Sequence, residues 1–369
     1  VVPGLNFSVN TSGGALDNNL NVNIRGAGTI GDGSSSSPLV LIDGVEGNMN
    51  AINPQDIESI SVLKDAASAS IYGARGAFGV ILITTKSGKS GRTNVNYSGN
   101  VRFTDALAVP DMLDSYKFAQ YFNEAAKNSG QGAVFSETQM QRILAYQKGE
   151  ITDGATINTT NNRWNNYTGA NANTDWFKEM YKDWVPSHEH NLSVSGGNEK
   201  VTYLVSGNFL DQNGLIAHGK DKFNRYTLNG KINATLSDHV KLNYSSKWIR
   251  EDYKRPSYMT GLFFHNIARR WPVNPVYDPN GYYMEGNEVI QMEDGGIQKN
   301  QKDYSYQQLQ LVIEPIKDWK IYAEGNLNTI TNFQHWEVLP VYAHDVNGDQ
   351  YAFSWDGRAV GSTTVNEYG

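Results

Sequence analysis

Aromatic and amide side chains are concentrated in two long segments between the regular parts of this sequence. Aromatic planes cover the apolar faces of sugar rings, and amides and carboxylates bond to the hydroxyl groups around those faces. Such residues are therefore candidates for binding a saccharide, although each could instead serve loop packing, and a hydrophobic peptide would suit the aromatics equally. The candidates are Trp164, Tyr167, Trp271, Asn274, Tyr277, Asp278, Tyr282 and Tyr283.

One glycine motif resembles a nucleotide-binding fingerprint. Residues 26–31 fit G-x-G-x-x-G, and Glu46 lies at the distance expected of a ribose-binding acid. That fingerprint requires the last glycines to open a helix, so that the helix N-terminus meets the pyrophosphate. Here Asp32-Gly33-Ser34-Ser35-Ser36-Ser37-Pro38 follows, which predicts a glycine- and serine-rich loop instead.

Three other segments could hold a metal ion. His188 and His190 would share one face of a strand, but no third ligand is evident and Glu189 would point the other way. Asp278–Gly281 and Asp345–Asp349 carry oxygens that suit calcium, yet lack the bidentate glutamate of a calcium loop. We interpret the histidines as surface residues and the two segments as turns, and expect no resident metal or cofactor and no enzymatic activity.

Four charged residues lie within otherwise apolar or small-residue segments of the first ninety residues: Arg25, Glu58, Lys64 and Arg75. Charges in such places are usually paired. They are predicted either to form internal salt bridges or to lock the N-terminal unit against a neighbouring wall until it is pulled away.

Composition narrows the class of protein. The 369 residues carry a net charge of −7, with acids and bases interspersed, which argues against nucleic acid as a partner. With no cysteine, neither disulfides nor thiol chemistry can occur. The mean hydropathy is −0.51 and no stretch suits a membrane-spanning helix. However, 21 Tyr, 13 Phe and 8 Trp beside 36 Gly would suit a membrane protein built from strands.

Residues 1–90 are interpreted as a compact α+β domain. Its three predicted strands, rich in valine and isoleucine, are Pro38–Val45, Ile57–Leu63 and Gly79–Thr85. Small helix-forming residues at Ala66–Ile71 predict one short helix, which Gly73 would end.

From residue 91 to residue 369 the pattern changes to long alternating runs. In residues 226–236 and 240–248, apolar side chains alternate with strongly polar ones, over the 9–11 residues of a tilted membrane strand. Aromatic residues near the strand ends would suit the membrane interfaces: Tyr226, Trp248, Tyr253, Tyr304, Tyr306 and Trp319. The strands are predicted near 95–103, 187–197, 201–211, 223–236, 240–250, 303–314 and 319–330.

The links between these strands are alternately long and short, an asymmetry typical of outer-membrane barrels. Residues 104–186 and 251–302 are the long links. Within them, Asp114–Lys127, Glu137–Gln147 and Tyr258–Arg270 are predicted helices, with Ser136 as an N-cap. Long links that contain their own helices are usually functional.

Several ordered motifs resemble the SusC/RagA family of TonB-dependent outer-membrane transporters. They are IRG (24–26), PLVLIDGV (38–45), INPQDIESISVLKDAASASIYGARGAFGVILITTK (52–86) and NLSVSGGNEKVTYLVSGNFLDQNGLI (191–216). The resemblance implies an N-terminal α+β plug inside a membrane β-barrel of 22 strands, of which about seven or eight would lie in this sequence. Eight strands cannot close so wide a barrel, so we expect an N-terminal portion of a longer protein, without the TonB-contacting box that precedes the plug in the family.

The resemblance also implies a function and partners. The expected activity is energised import of oligosaccharides across the bacterial outer membrane, with oligopeptides as the alternative cargo. Expected partners are a SusD-like surface lipoprotein that acts as a lid, the TonB–ExbB–ExbD complex and outer-membrane lipid, with two transporter–lipoprotein pairs forming a dimer. A receptor that signals across the envelope and a soluble β-rich adhesin are the other hypotheses.

Overall fold

The computed structural model of the protein describes residues 5–9, 15–16, 20–24, 37–107, 109–353 and 361–368. The chain forms a small α+β unit followed by one large antiparallel sheet with long connecting segments. None of the helices in these described ranges is long and apolar enough to cross a membrane.

The N-terminal unit is built on a four-stranded sheet. Its strand order is β4-β3-β6-β5, with β3 and β6 parallel and the other pairs antiparallel. A separate hairpin, β1–β2, adds Val22 and Ile24 to a core that also contains Ile52, Ile81 and Ile83. The strands are β1 Leu5–Val9, β2 Leu20–Ile24, β3 Leu39–Ile42, β4 Val45–Glu46, β5 Ile57–Leu63 and β6 Val80–Thr85.

Two local features differ from the sequence prediction for this unit. Pro38–Val45 forms two strands rather than one, because Asp43 and Gly44 both adopt positive φ and reverse the chain between β3 and β4. The predicted helix keeps α-helical geometry only over α1, Ala66–Ala69, and then tightens into a 3₁₀ helix. Gly73 interrupts that segment with a φ of 59°, a conformation that glycine adopts at no steric cost.

Eight strands form the second part, which we call the wall. Neighbours pair antiparallel in the order β18-β15-β14-β13-β12-β11-β10-β7. Seven were predicted from alternation, and β18 was not. The strands are β7 Gly91–Thr104, β10 Val185–Gly197, β11 Val201–Asn213, β12 Lys222–Ser237, β13 Val240–Pro256, β14 Ile297–Ile316, β15 Trp319–Val338 and β18 Gly361–Tyr368.

Burial across the middle of the wall is the reverse of that in a soluble protein. On β12, Thr227, Asn229 and Lys231 are buried, whereas the alternate residues Leu228 and Ile232 are exposed. The N-terminal unit covers the polar face, which leaves the apolar face open. An exposed apolar face of this size suits contact with lipid or with another apolar surface rather than with water.

The wall strands are longer than alternation alone indicated. Strands β12 and β13 span 16 and 17 residues, and β14 and β15 span 20 each, so they extend past a hydrocarbon core that needs 9–11. The predicted interfacial role is wrong for Tyr253 and Tyr304, which are buried on the inner face.

The alternation of long and short links is confirmed by the strand ends. Turns at 198–200, 238–239 and 317–318 are tight, whereas residues 105–184 and 257–296 form the long links. The long links and the segment after β15 contain α2 Ser115–Asn128, α3 Glu137–Gln147, β8 Ile157–Asn158, β9 Arg163–Trp164, α4 Trp176–Met180, α5 Gly261–Arg269, α6 Val289–Asp294, β16 Val341–His344 and β17 Gln350–Phe353.

The two long helices begin where their capping residues predict. Asp114 accepts a bond from Lys117 N at the start of α2, and Ser136 accepts one from Gln139 N at the start of α3. The third predicted helix, Tyr258–Arg270, is shorter than expected and begins at Gly261.

Candidate functional site

The contact between the N-terminal unit and the wall is centred on a buried ion pair. Lys231 Nζ, from β12, lies 3.0 Å from Asp43 Oδ2, and both side chains are largely buried. Thr85 completes the group: its backbone N–H and hydroxyl donate to Asp43 at 2.8 and 2.7 Å, and its carbonyl accepts from Lys231 at 3.1 Å. Every charged atom of the pair therefore has a partner, which a buried ion pair needs to be stable.

Further side-chain hydrogen bonds extend this contact along the wall. Ser206 Oγ, on β11, donates to Asp56 Oδ1 at 2.8 Å. Asn53 Nδ2 donates to Asn191 Oδ1 on β10, also at 2.8 Å. Lys247, on β13, is buried and close enough to Asp43 and Asp56 to interact with both charges. These contacts between the N-terminal unit and the wall are therefore polar and charged.

None of the contacts just described comes from the four charges predicted either to pair within the N-terminal unit or to lock it. Arg75 pairs with Glu46 at 3.2 Å inside the same unit, with both side chains well exposed. Glu58 is exposed on β5, Lys64 is half-buried, and Arg25 lies outside the described residues. The ion pair between the unit and the wall joins Asp43, in a turn, to Lys231 on the polar face of an alternating strand. That lysine was the signal in the sequence, because a charge on an inward face needs a partner.

Trp271, one of the two tryptophans among the predicted saccharide-binding residues, packs in the core of the connecting segments. Its ring centroid lies 4.7 Å from that of Phe122, 5.3 Å from Phe118 and 5.7 Å from Phe135. The ring of Tyr167 meets it edge-on at 5.2 Å. This aromatic cluster joins the two long links, and the ring of Trp271 mainly packs against the other members of the cluster.

Asn274 and Trp164 also hold the connecting segments together. Asn274 is buried, and its side-chain oxygen accepts from Tyr167 N at 2.7 Å, where Tyr167 has a positive φ of 54°. Trp164 is half-buried and pairs with Ile157 in the β8–β9 hairpin.

Tyr277 and Tyr282 present the most open of the predicted aromatic surfaces. Tyr277 is 49% exposed and stacks on Tyr283 at 5.2 Å, whereas Tyr282 is 43% exposed and stacks on His344 at 3.7 Å. Burial and the neighbouring Tyr277 raise the pKa of Tyr283 to about 12, so its hydroxyl stays protonated at neutral pH.

Asp278 shapes the turn that carries these tyrosines. Its Oδ1 accepts from Asn280 N and Tyr282 N at 2.9 and 3.0 Å. Burial raises the pKa of its carboxyl, although these bonds oppose the shift. Asn280 Nδ2 in turn donates to the carbonyl of Val346 at 3.1 Å, so the two turns considered for calcium bond to each other. No cluster of three or more metal-ligating side chains occurs in the part of the chain that the structure describes.

His188 and His190 lie on one face of β10, with ring centroids 5.3 Å apart. Tyr97 bonds to His190 at 2.7 Å and Asp211 lies 4.0 Å from His188. Glu189 points to the other face, where Asn208 donates to it at 3.1 Å.

A cavity of about 650 Å³ opens between the two long links, and we call it the groove. Its walls come from residues 152–154, 172–175, 178–179, 275–279 and 281, with Tyr146 beside them. Asp153, Asp175, Glu179 and Asp278 line it, as does Tyr277. The groove therefore combines an exposed aromatic plane with several hydrogen-bond acceptors, at a size typical of ligand sites. It contains two of the eight predicted binding residues, Tyr277 and Asp278.

Comparison with known proteins identifies both parts of the fold. The family model described as the TonB-dependent receptor plug domain matches residues 1–80. TonB-dependent receptor P26 of Formosa agariphila is 30% identical over 278 residues, which are 73% of this chain and 24% of that protein. TonB-dependent receptor SusC of Bacteroides thetaiotaomicron is 28% identical over 291 residues, 75% of this chain and 24% of its own length.

The fold is similar to that of a solved transporter. The RagAB peptide importer in its closed–closed state superimposes with a TM-score of 0.72 at 22% identity, covering 92% of this chain and 39% of that one. Its open–open state gives a TM-score of 0.71. The chain spans about a quarter of the length of the curated relatives it matches.

Proposed function

Because the chain belongs to the SusC/RagA family of TonB-dependent receptors, we propose that it supplies the plug and the first wall strands of an outer-membrane importer. The observation that carries this proposal is the inverted wall: its polar face binds the plug through Lys231 and Asp43, and its outer face is apolar. The polar and ion-paired groups of this contact can exchange their partners for water when the plug and the wall separate, and import past the plug would require such a separation.

The proposed cargo is an oligosaccharide, taken up together with a SusD-like surface lipoprotein and energised through TonB, ExbB and ExbD. Support for the saccharide comes from the groove, where the exposed ring of Tyr277 adjoins carboxylates that can accept bonds from sugar hydroxyls. Oligopeptide import by the same mechanism is the second candidate, because the structurally similar RagAB is a peptide importer.

Binding to the full-length protein with its lipoprotein partner tests the cargo. Panels of defined oligosaccharides and oligopeptides would be titrated by calorimetry, with hydrogen exchange at residues 275–283 as a report on the groove. We expect saturable glycan binding that protects this segment, weakened about 3- to 10-fold by Tyr277→Ala through loss of the aromatic contact. Tyr121→Ala, a change to an exposed tyrosine on α2, is the matched control.

Each outcome separates the candidates. Saturable peptide binding without glycan binding would replace the saccharide proposal by the peptide one. Glycan binding that leaves residues 275–283 unprotected and Tyr277→Ala unaffected would remove the groove as the cargo site.

A further inference from the structure

One histidine joins three separate connecting segments. His218 lies in the turn between β11 and β12, with an imidazole that is only 13% exposed. Its Nε2 is 2.9 Å from Glu179 Oε1 on α4, in the first long link. Its Nδ1 is 3.3 Å from Glu293 Oε1 on α6, in the second long link.

Backbone contacts show that this junction is built into the fold. Lys182 N donates to Leu215 O at 2.7 Å, and Ala217 N donates to Met180 O at 2.8 Å, which attaches the turn to the end of α4. Gly219 N donates to Glu293 Oε1 at 2.9 Å, which attaches it to α6. The imidazole therefore occupies a fixed place rather than a chance position on a mobile surface.

The chemistry of the two contacts depends on a proton. A carboxylate can only accept hydrogen bonds, and a neutral imidazole can donate through only one of its nitrogens. Both contacts are hydrogen bonds only when His218 is the doubly protonated cation. Loss of the proton turns a ring lone pair toward one of the two carboxylates, which is repulsive.

The surroundings of the ring carry further titratable groups. Asp294 follows Glu293 on α6, and burial together with the charge of Glu293 raises the pKa of its carboxyl. The ring of Tyr283 meets the imidazole edge-on at 6.4 Å. On neighbouring elements, Lys178 pairs with Asp175, and the turn itself carries Lys220 and Asp221.

Glu179 connects this junction to the groove, because it is one of the residues that line the groove. We infer that His218 is a positioning residue: its protonated imidazole holds α4 against α6 and thereby sets the groove wall, and deprotonation loosens the three segments together. The inference rests on the proposed function only in taking the groove as the cargo site.

Hydrogen exchange of the full-length protein in detergent tests it. Peptides covering residues 176–184, 214–221 and 289–296 would be compared at pH about 6 and about 8, after normalisation to a peptide from β13. Because one proton is coupled to closure, protection in the wild type should fall with rising pH by no more than about tenfold per pH unit. His218→Gln should show the same low protection at both pH values.

Two further variants keep the result interpretable. His265→Gln changes an exposed histidine on α5 and should retain the wild-type pH dependence. Glu293→Gln keeps an acceptor but removes a charge, and should reduce the pH dependence even if His218→Gln does not fold.

The inference is overturned if wild-type protection does not change with pH, or if His218→Gln retains the same change. This readout needs no cargo. A groove that binds no ligand would therefore be removed as the cargo site while the pH result stands, and a pH-independent junction would leave cargo binding intact.

Discussion

Removing the amine of Lys231 should loosen the plug from the wall without unfolding either part. In Lys231→Met the carboxylate of Asp43 keeps its two bonds from Thr85 but loses its cation. Breaking a fully buried ion pair from one side costs about 3–5 kcal/mol. The cost here is smaller, because the two side chains are 9% and 15% exposed and Lys247 lies close to the same carboxylate.

We therefore expect a cost of about 2–3 kcal/mol, which is about a 30- to 160-fold increase in the population with a detached plug. Asp43→Asn should behave similarly, since asparagine tolerates the positive φ of 53° at this position. The cost of the double variant should be smaller than the sum of the two single costs by at least about 1 kcal/mol, because both substitutions remove the same interaction.

The measurement is hydrogen exchange along a urea titration of the full-length protein in detergent micelles. Peptides from β3 and β6 report on the plug, and peptides from β12 and β13 report on the wall. Arg75→Met is the matched control, because the exposed pair of Arg75 and Glu46 should contribute less than about 1 kcal/mol. Equal plug protection in Lys231→Met and Arg75→Met would refute the reasoning, as would additive costs in the double variant.

Three further predictions address the loops and the plug core. Trp271→Ala should lower the free energy of unfolding of the connecting segments by about 2–3 kcal/mol, because it removes a ring that packs against four others. The loss would be measured as faster proteolysis of residues 115–147, and Tyr277→Ala should leave that rate unchanged. Burial raises the pKa of Asp278, so its carboxyl binds a proton more tightly in the folded state than in the unfolded state. The loop should therefore gain stability as the pH falls through the raised pKa toward the ordinary 3.8. In urea titrations, Asp278→Asn should abolish this pH dependence. Gly79→Ala should destabilise the plug by at least about 1 kcal/mol more than Gly44→Ala in the same titration. A Cβ at Gly79 would lie 2.7 Å from Ile24 Cδ1, whereas a Cβ at Gly44 would meet open space. Equal costs for the two variants would contradict the packing argument.

Elements with a strong local pattern could be predicted from the sequence. The strand Ile57–Leu63 and the helix Glu137–Gln147 have the predicted bounds, because alternation or a capping serine fixes where each begins. Strand ends were less predictable: β13 continues to Pro256, past the end of its apolar alternation. That extension depends on pairing with β14, which residues 251–256 do not encode by themselves.

The plug lock could not be assigned to its residues from the sequence alone. Lys231 and Asp43 are 188 positions apart, and their meeting depends on how the plug sits against β12. The sequence predicted charged locking residues but selected those embedded in apolar segments of the plug. Arg75 pairs with Glu46 inside the plug, and this exposed ion pair contributes little to stability and stays intact when the plug moves relative to the wall.

The aromatic residues of the long links show why composition indicates a ligand site without locating it. A link of some eighty residues with its own helices must bury apolar surface to remain folded, so it uses aromatic side chains whether or not a ligand binds. Trp271 and Asn274 serve that internal need, whereas Tyr277 and Tyr282 stand at a turn fixed by Asp278, with their rings open. Packing occupies Trp271 and Asn274, whereas Tyr277 and Tyr282 keep part of their rings exposed. The cargo surface is therefore best sought where an aromatic ring contacts its neighbours on one face only.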